Sequence, residues 1–209
     1  MEKIKVKLRQ HFYHSWWLYL LVSLCFLLGA VFGFWGMHAL EKSDASLMNA
    51  LFEEITAQFG DDFNFALSAR QAVMKNLLNL GKIFVLGLTI IGFPLVLVII
   101  FTRGFVFGFT LEFFCQGKAW PGSILALLAL LPPNFLSVPA YILSAVAAIR
   151  FSLYLISGRQ QREISISEAF LKYFFVMLGY SLLLLGSALI EGYFSPSVIK
   201  LLYKTLQLT

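Results

Sequence analysis

From Trp16 to Met37 the chain runs for 22 residues without one Asp, Glu, Lys or Arg. A helix rises 1.5 Å per residue, so about 20 apolar residues cross the ~30 Å hydrocarbon layer of a bilayer. A secretory leader has a shorter apolar core and a small-residue cleavage site, so this run reads as a retained first span. The whole chain agrees with it: 59% of its residues are hydrophobic and 13% are charged, against about 25% charged in soluble domains. With a mean hydropathy of +0.81, the expectation is an all-α polytopic membrane protein, one integral membrane domain over residues 1–209.

Apolar runs between charges predict about five transmembrane helices: Trp16 to Met37, Ile83 to Thr102, Gly104 to Gly117, one within Ala119 to Ser157, and Tyr173 to Ile190. The third is short, because the 14 residues between Arg103 and Lys118 reach only about 21 Å. The fourth is long, and Pro132, Pro133 and Pro139 interrupt it. Proline removes a backbone donor, which predicts a break around Asn134 with half-helices Gly122 to Leu131 and Phe135 to Ser157. Unpaired backbone at that depth is tolerated only inside protein or beside water, so the break belongs in the interior.

Lys3, Lys5, Lys7 and Arg9 precede the first span and predict a cytoplasmic N-terminus. Five crossings then leave the C-terminus outside, with nine basic and three acidic residues on the cytoplasmic side, Arg103, Arg150, Arg159 and Arg162 among the nine. The net charge of +5 therefore reports orientation in the lipid bilayer and not nucleic-acid binding. Between the first two spans lies an extracytoplasmic loop, residues 40–79, in which Leu47, Leu51, Ile55 and Phe59 recur every fourth residue and Phe52 widens the stripe. That spacing predicts an amphipathic helix capped by Ser46 or Asp44 and ending near Gly60. Its face either covers the bundle at the membrane surface or docks a partner. A second helix, from about Leu67, is expected to run on into the second span.

Gly104, Gly108 and Glu112 recur at i, i+4 and i+8 on one helical face. Small residues at that spacing let another helix approach closely, within the fold or in a homo-oligomer. Glu112 then either points into the bundle, with Arg103 or Arg150 as its partner, or reaches water near the outer surface. Cys25 and Cys115 lack ligand spacing and read as packing residues, and His11, His14 and His38 form no metal-binding pattern. Nucleotide-binding and hydrolase motifs are missing from the sequence, which predicts no catalytic residue, no cofactor and no metal.

The segments GLTIIGFPLVLVIIFTRGFVFGF at Gly87 to Phe109, LPPNFLSVPA at Leu131 to Ala140 and EGYFSP at Glu191 to Pro196, with the span order, resemble the stage II sporulation protein M family over nearly the whole chain. The wider family carries Leu-Pro-His-Gly and then Glu-Leu-Pro in the fourth span. Pro133, Asn134 and Ser137 occupy those places here, so no role of a His and Glu pair is carried over. The resemblance implies a non-enzymatic scaffold in the mother-cell membrane that holds two peptidoglycan-degrading partners, stage II sporulation proteins D and P, during engulfment. The loop 40–79 and an interfacial tail, residues 191–209, become the expected docking surfaces. The competing expectation is a transporter or exporter permease, with a site at the broken fourth helix.

Overall fold

The computed structural model describes residues 16–43, 64–116, 119–156 and 165–197. They form five α-helices: α1 (Trp16–Ser43), α2 (Phe65–Gly87), α3 (Gly92–Gln116), α4 (Ala119–Ile156) and α5 (Ile166–Leu189), the last continued by a π-helical turn, Ile190–Phe194. Four stretches are long and apolar enough to cross a membrane: Trp16–Ala39, Gly92–Phe113, Leu130–Ile156 and Ile166–Ser197. On α1, the exposed rings of Trp16 and Trp17 lie 4.2 Å apart near one end and exposed Trp35 lies near the other. The 19 residue steps from Trp16 to Trp35 measure about 28 Å, the distance between the two interfacial belts where tryptophan concentrates. The helix expected over Leu47, Leu51, Phe52, Ile55 and Phe59, and the tail beyond Ser197, lie outside the described residues.

Three expectations are corrected. The short third span does not exist as such, because residues on both sides of Arg103 belong to the single 25-residue helix α3. The helix begun near Leu67 does not run on into the next span. It ends at Gly87, and a turn at Leu88–Ile91 reverses the chain. Thr89 closes that turn by accepting from Gly92 N–H at 3.1 Å, and Pro94 falls in the first turn of α3, where helix N–H groups lack partners anyway. The third correction concerns α4, which continues through Pro132, Pro133 and Pro139. Side chains supply donors at that level: Asn134 Nδ2 to Leu130 O at 2.8 Å and Ser187 Oγ, from α5, to Pro133 O at 2.8 Å. The carbonyls that lose a donor to the prolines lie four residues earlier, at Leu128, Ala129 and Phe135, and neighbouring helices and local adjustment let a membrane helix tolerate that loss.

Contacts fix the helix directions. α1 and α3 run parallel and touch backbone to backbone: a Cβ on Gly29 or Gly33 would lie 2.2 or 2.0 Å from the carbonyl oxygen of Phe101 or Phe105. Reciprocally, a Cβ on Gly104 or Gly108 would lie 2.1 or 1.9 Å from the carbonyl oxygen of Phe26 or Ala30. The glycines therefore form a two-sided small-residue seam. α2 runs antiparallel to α5, Gly192 lying on Ala69 at one end and Tyr173 OH donating to Phe84 O (3.0 Å) at the other. The Tyr173 ring stacks between Phe84 and Phe151, at 5.2 and 4.7 Å, tying α2, α4 and α5 together. α4 touches every other element, and 56% of its span is buried against 22% for α1 and α3. It is the central helix, and the polar groups converge on it.

Candidate functional site

Asn76 is the pivot of the polar interior. It sits on the buried seam of α2, in line with Ala69, Ala72, Leu80, Ile83 and Gly87, and is 1% exposed. Its Nδ2 donates to Leu184 O on α5 (3.3 Å), and its Oδ1 accepts from Arg103 on α3 (3.0 Å) and from Tyr141 OH on α4 (3.0 Å). Arg103 also donates to Tyr141 OH, and its guanidinium carbon lies 4.0 Å from the centre of the Tyr141 ring. One amide thus joins four helices. Arg103 falls at the middle of its span, 11 residues after Gly92 and 10 before Phe113, where a cation costs about 2.5 to 3.5 kcal/mol on insertion scales. Among the described residues it faces only neutral acceptors, and its buried Nε has no partner.

Beside this network lies a cavity of about 210 Å³, lined by Lys75, Arg103, Thr110, Asn134, Ser137 and Glu191 together with Pro133 and Ser195. The π-helical turn, at the EGYFSP segment, carries Glu191 into the lining, 3.9 Å from Lys75 Nζ. An extra residue in a helical turn rotates the following side chains, and such turns recur at functional sites. Ser137 Oγ donates to Asn134 Oδ1 at 3.3 Å and fixes the amide at the cavity wall. Against the next face of α4 runs an apolar groove of about 690 Å³, lined by Phe26, Phe107, Leu131, Pro132, Phe135 and Pro139 among others. Phe107 and Asn134 line both spaces, so cavity and groove adjoin.

The residues singled out in the sequence divide into separate places. Arg103, Pro133, Asn134 and Glu191 meet at the cavity, while Pro132 and Pro139 face the groove. Gly104 and Gly108 face α1 instead. Glu112 is buried, 8% exposed, but its partner is neither Arg103 nor Arg150: His38 Nδ1, on α1, lies 3.4 Å from its Oε1. The correction follows from the parallel packing of α1 on α3, which brings the end of one beside the end of the other. Arg150 is half-buried two residues from Ser152, which donates to Thr89 O (2.8 Å) at the opposite end of the bundle. Among the described residues no cluster of three or more His, Cys, Asp or Glu is placed to hold a metal.

Sequence reasoning missed Asn76, Tyr141, Lys75 and the partner glycines Gly29 and Gly33. The glycines were legible as a four-residue repeat in the first span, and Asn76 as the one amide on a seam of alternating three- and four-residue spacing. Ser187 is a further missed residue, fully buried and bonded to Pro133 O. Ser187→Val is expected to lower stability by about 1 kcal/mol, the ordinary worth of one such bond. Thermal unfolding in detergent would measure it, and an unchanged midpoint would deny that this bond supports α4 at its prolines.

The model of the stage II sporulation protein M family matches residues 22–196, which include every residue of the cavity and of the glycine seam. The chain belongs to the stage II sporulation protein M family. Comparison with curated proteins and with solved structures finds no match. Membership and the four apolar helices together describe a sporulation-related membrane protein.

Proposed function

We propose that this family member is a non-enzymatic membrane scaffold that recruits and positions peptidoglycan-degrading partners during engulfment, the stage II sporulation proteins D and P. The observation that carries this reading is the family match over 22–196, which takes in α2 to α5 and all but the first six residues of α1. Under it the protein resides in the mother-cell membrane and α2 also crosses, giving five crossings. Moving Arg103 into the bilayer and Lys82 to the cytoplasmic flank leaves nine basic against three acidic residues inside, so the charge bias favours the same orientation. The segments after α1 and after Ser197 then leave the bundle at one end, since His38 meets Glu112 and Gly192 meets Ala69 there.

Co-purification of the detergent-solubilised protein with the extracytoplasmic parts of the two hydrolases tests the reading. The intact chain is expected to bind, and a chain with Leu47, Leu51, Phe52, Ile55 and Phe59 changed to serine is expected not to. Absence of binding by the intact, folded protein would remove the scaffold. A second reading, a transporter, draws on the polar cavity beside α4. Glu112→Gln separates them: a proton-coupled transporter loses function, whereas the scaffold keeps its partners with at most a modest loss of stability, because an amide still bonds to His38.

A further inference from the structure

The cavity and the groove differ in chemistry and touch each other. In the cavity, Arg103 and Lys75 oppose the single carboxylate of Glu191, leaving one net positive charge among its lining groups. Arg103 Nε is buried without an acceptor, and no carboxylate pairs with its guanidinium among the described residues. A cation at mid-span without a paired carboxylate and an orphaned donor are both unfavourable in a dry protein. One anionic group with several acceptor oxygens relieves both, since Arg103 and Lys75 reach the same cavity. The groove is almost wholly apolar and begins where Phe107 and Asn134 end the cavity. Phe135 on its wall is 82% exposed, so the groove opens to the surroundings of the bundle, which in a membrane are acyl chains.

The geometry points to a binding site for one anionic phospholipid, its phosphodiester in the part of the cavity toward Thr110 and Ser195, where the side chains of Arg103 and Lys75 reach it from deeper in the bundle, and an acyl chain in the groove along Leu131 to Pro139. A small soluble anion matches the cavity but gives the groove no occupant. A zwitterionic lipid fills the groove but brings a cation of its own toward two others. This inference does not rest on the scaffold reading, and it gives the polar interior a ligand under either function.

The test uses the full-length protein, delipidated in a maltoside detergent, with lipid retention read by native mass spectrometry and thermal unfolding followed in parallel. The probes are phosphatidylglycerol, phosphatidylethanolamine and inorganic phosphate. The intact protein is expected to retain phosphatidylglycerol roughly tenfold more tightly than phosphatidylethanolamine, the scale of one charge-assisted contact, and to gain thermal stability with the former only. Arg103→Gln and Lys75→Gln should each reduce that preference, whereas Glu191→Gln, which removes the opposing carboxylate, should increase it. Lys75 is 57% exposed at its side chain, so its variant decides the matter if the Arg103 variant does not fold. Equal retention of the two lipids, an unchanged preference in Lys75→Gln, or full reproduction of the stabilisation by inorganic phosphate would each overturn the proposal.

Discussion

Gly108→Leu is expected to separate α1 from α3 and to lower stability by about 3 kcal/mol or more, the upper part of the range for overpacked interiors. The size follows from what the new side chain meets. A Cβ at this position would stand 1.9 Å from Ala30 O and 2.7 Å from its carbonyl carbon, and backbone cannot rotate aside as a side chain does. Gly104, Gly29 and Gly33 meet the opposite backbone in the same way, so the clash is not relieved by a small slide. In a membrane these helices gain nothing from excluding water and hold together by close packing, which any forced gap forfeits. Gly81→Leu and Gly179→Leu provide the control, since nothing lies within 4 Å of a Cβ at either site. Unfolding titrations in mixed micelles should show a large loss at 108 and little change at 81 and 179. Similar behaviour at all three would sink the seam as a source of stability.

The second large effect is expected from Asn76→Leu. A neutral hydrogen bond between membrane helices averages about 0.6 kcal/mol, so the amide's bonds alone predict little. The charge beside it decides otherwise. Without Asn76 Oδ1, Arg103 keeps only Tyr141 OH as an acceptor among the described residues, and removing one partner of a buried charge costs roughly 3 to 5 kcal/mol. Arg103→Met, by contrast, takes the cation away while Tyr141 OH still donates to Asn76 Oδ1 at 3.0 Å, and should cost little or even stabilise. Combining the two should recover most of what Asn76→Leu loses, a coupling of about 1 to 3 kcal/mol in a double-mutant cycle. Additive losses would mean that the amide and the guanidinium do not depend on each other.

The helical, membrane-spanning character of the chain was legible from apolar runs alone, and the face of Gly104 and Gly108 was legible from spacing. What misled the reading was a charge. An arginine within an apolar run ordinarily marks the edge of a span, which cut α3 in two at Arg103. Its satisfaction comes from Asn76 and Tyr141, 27 and 38 residues away in sequence, and no local pattern reveals such partners. The prolines of α4 misled because α4 packs against every other helix, through contacts such as that of Ser187 Oγ with Pro133 O from 54 residues away, and none of these is visible locally. The reversal at Leu88–Ile91 carries no charge to announce it, but Gly87, Gly92 and Pro94 around it are turn signals. Those three residues held the information that apolarity concealed. At the cavity, Asn134 and Glu191 were recognised individually, while their meeting depends on the π-helical turn, which no periodicity predicts.

The parallel pairing of α1 with α3 also bears on how the chain is put together. Helices adjacent in sequence leave the insertion machinery one after another, yet the surface of α1 that carries Gly29, Gly33 and His38 has its partner only after α2 has followed it. His38 and the bare glycine face therefore wait in lipid for α3, and Glu112 enters a bilayer in which its imidazole neighbour already stands. Asn76 waits longer, for Arg103 and then Tyr141. The network around Asn76 is thus completed only by helices made after it, and a chain halted before α4 would leave its arginine short of an acceptor.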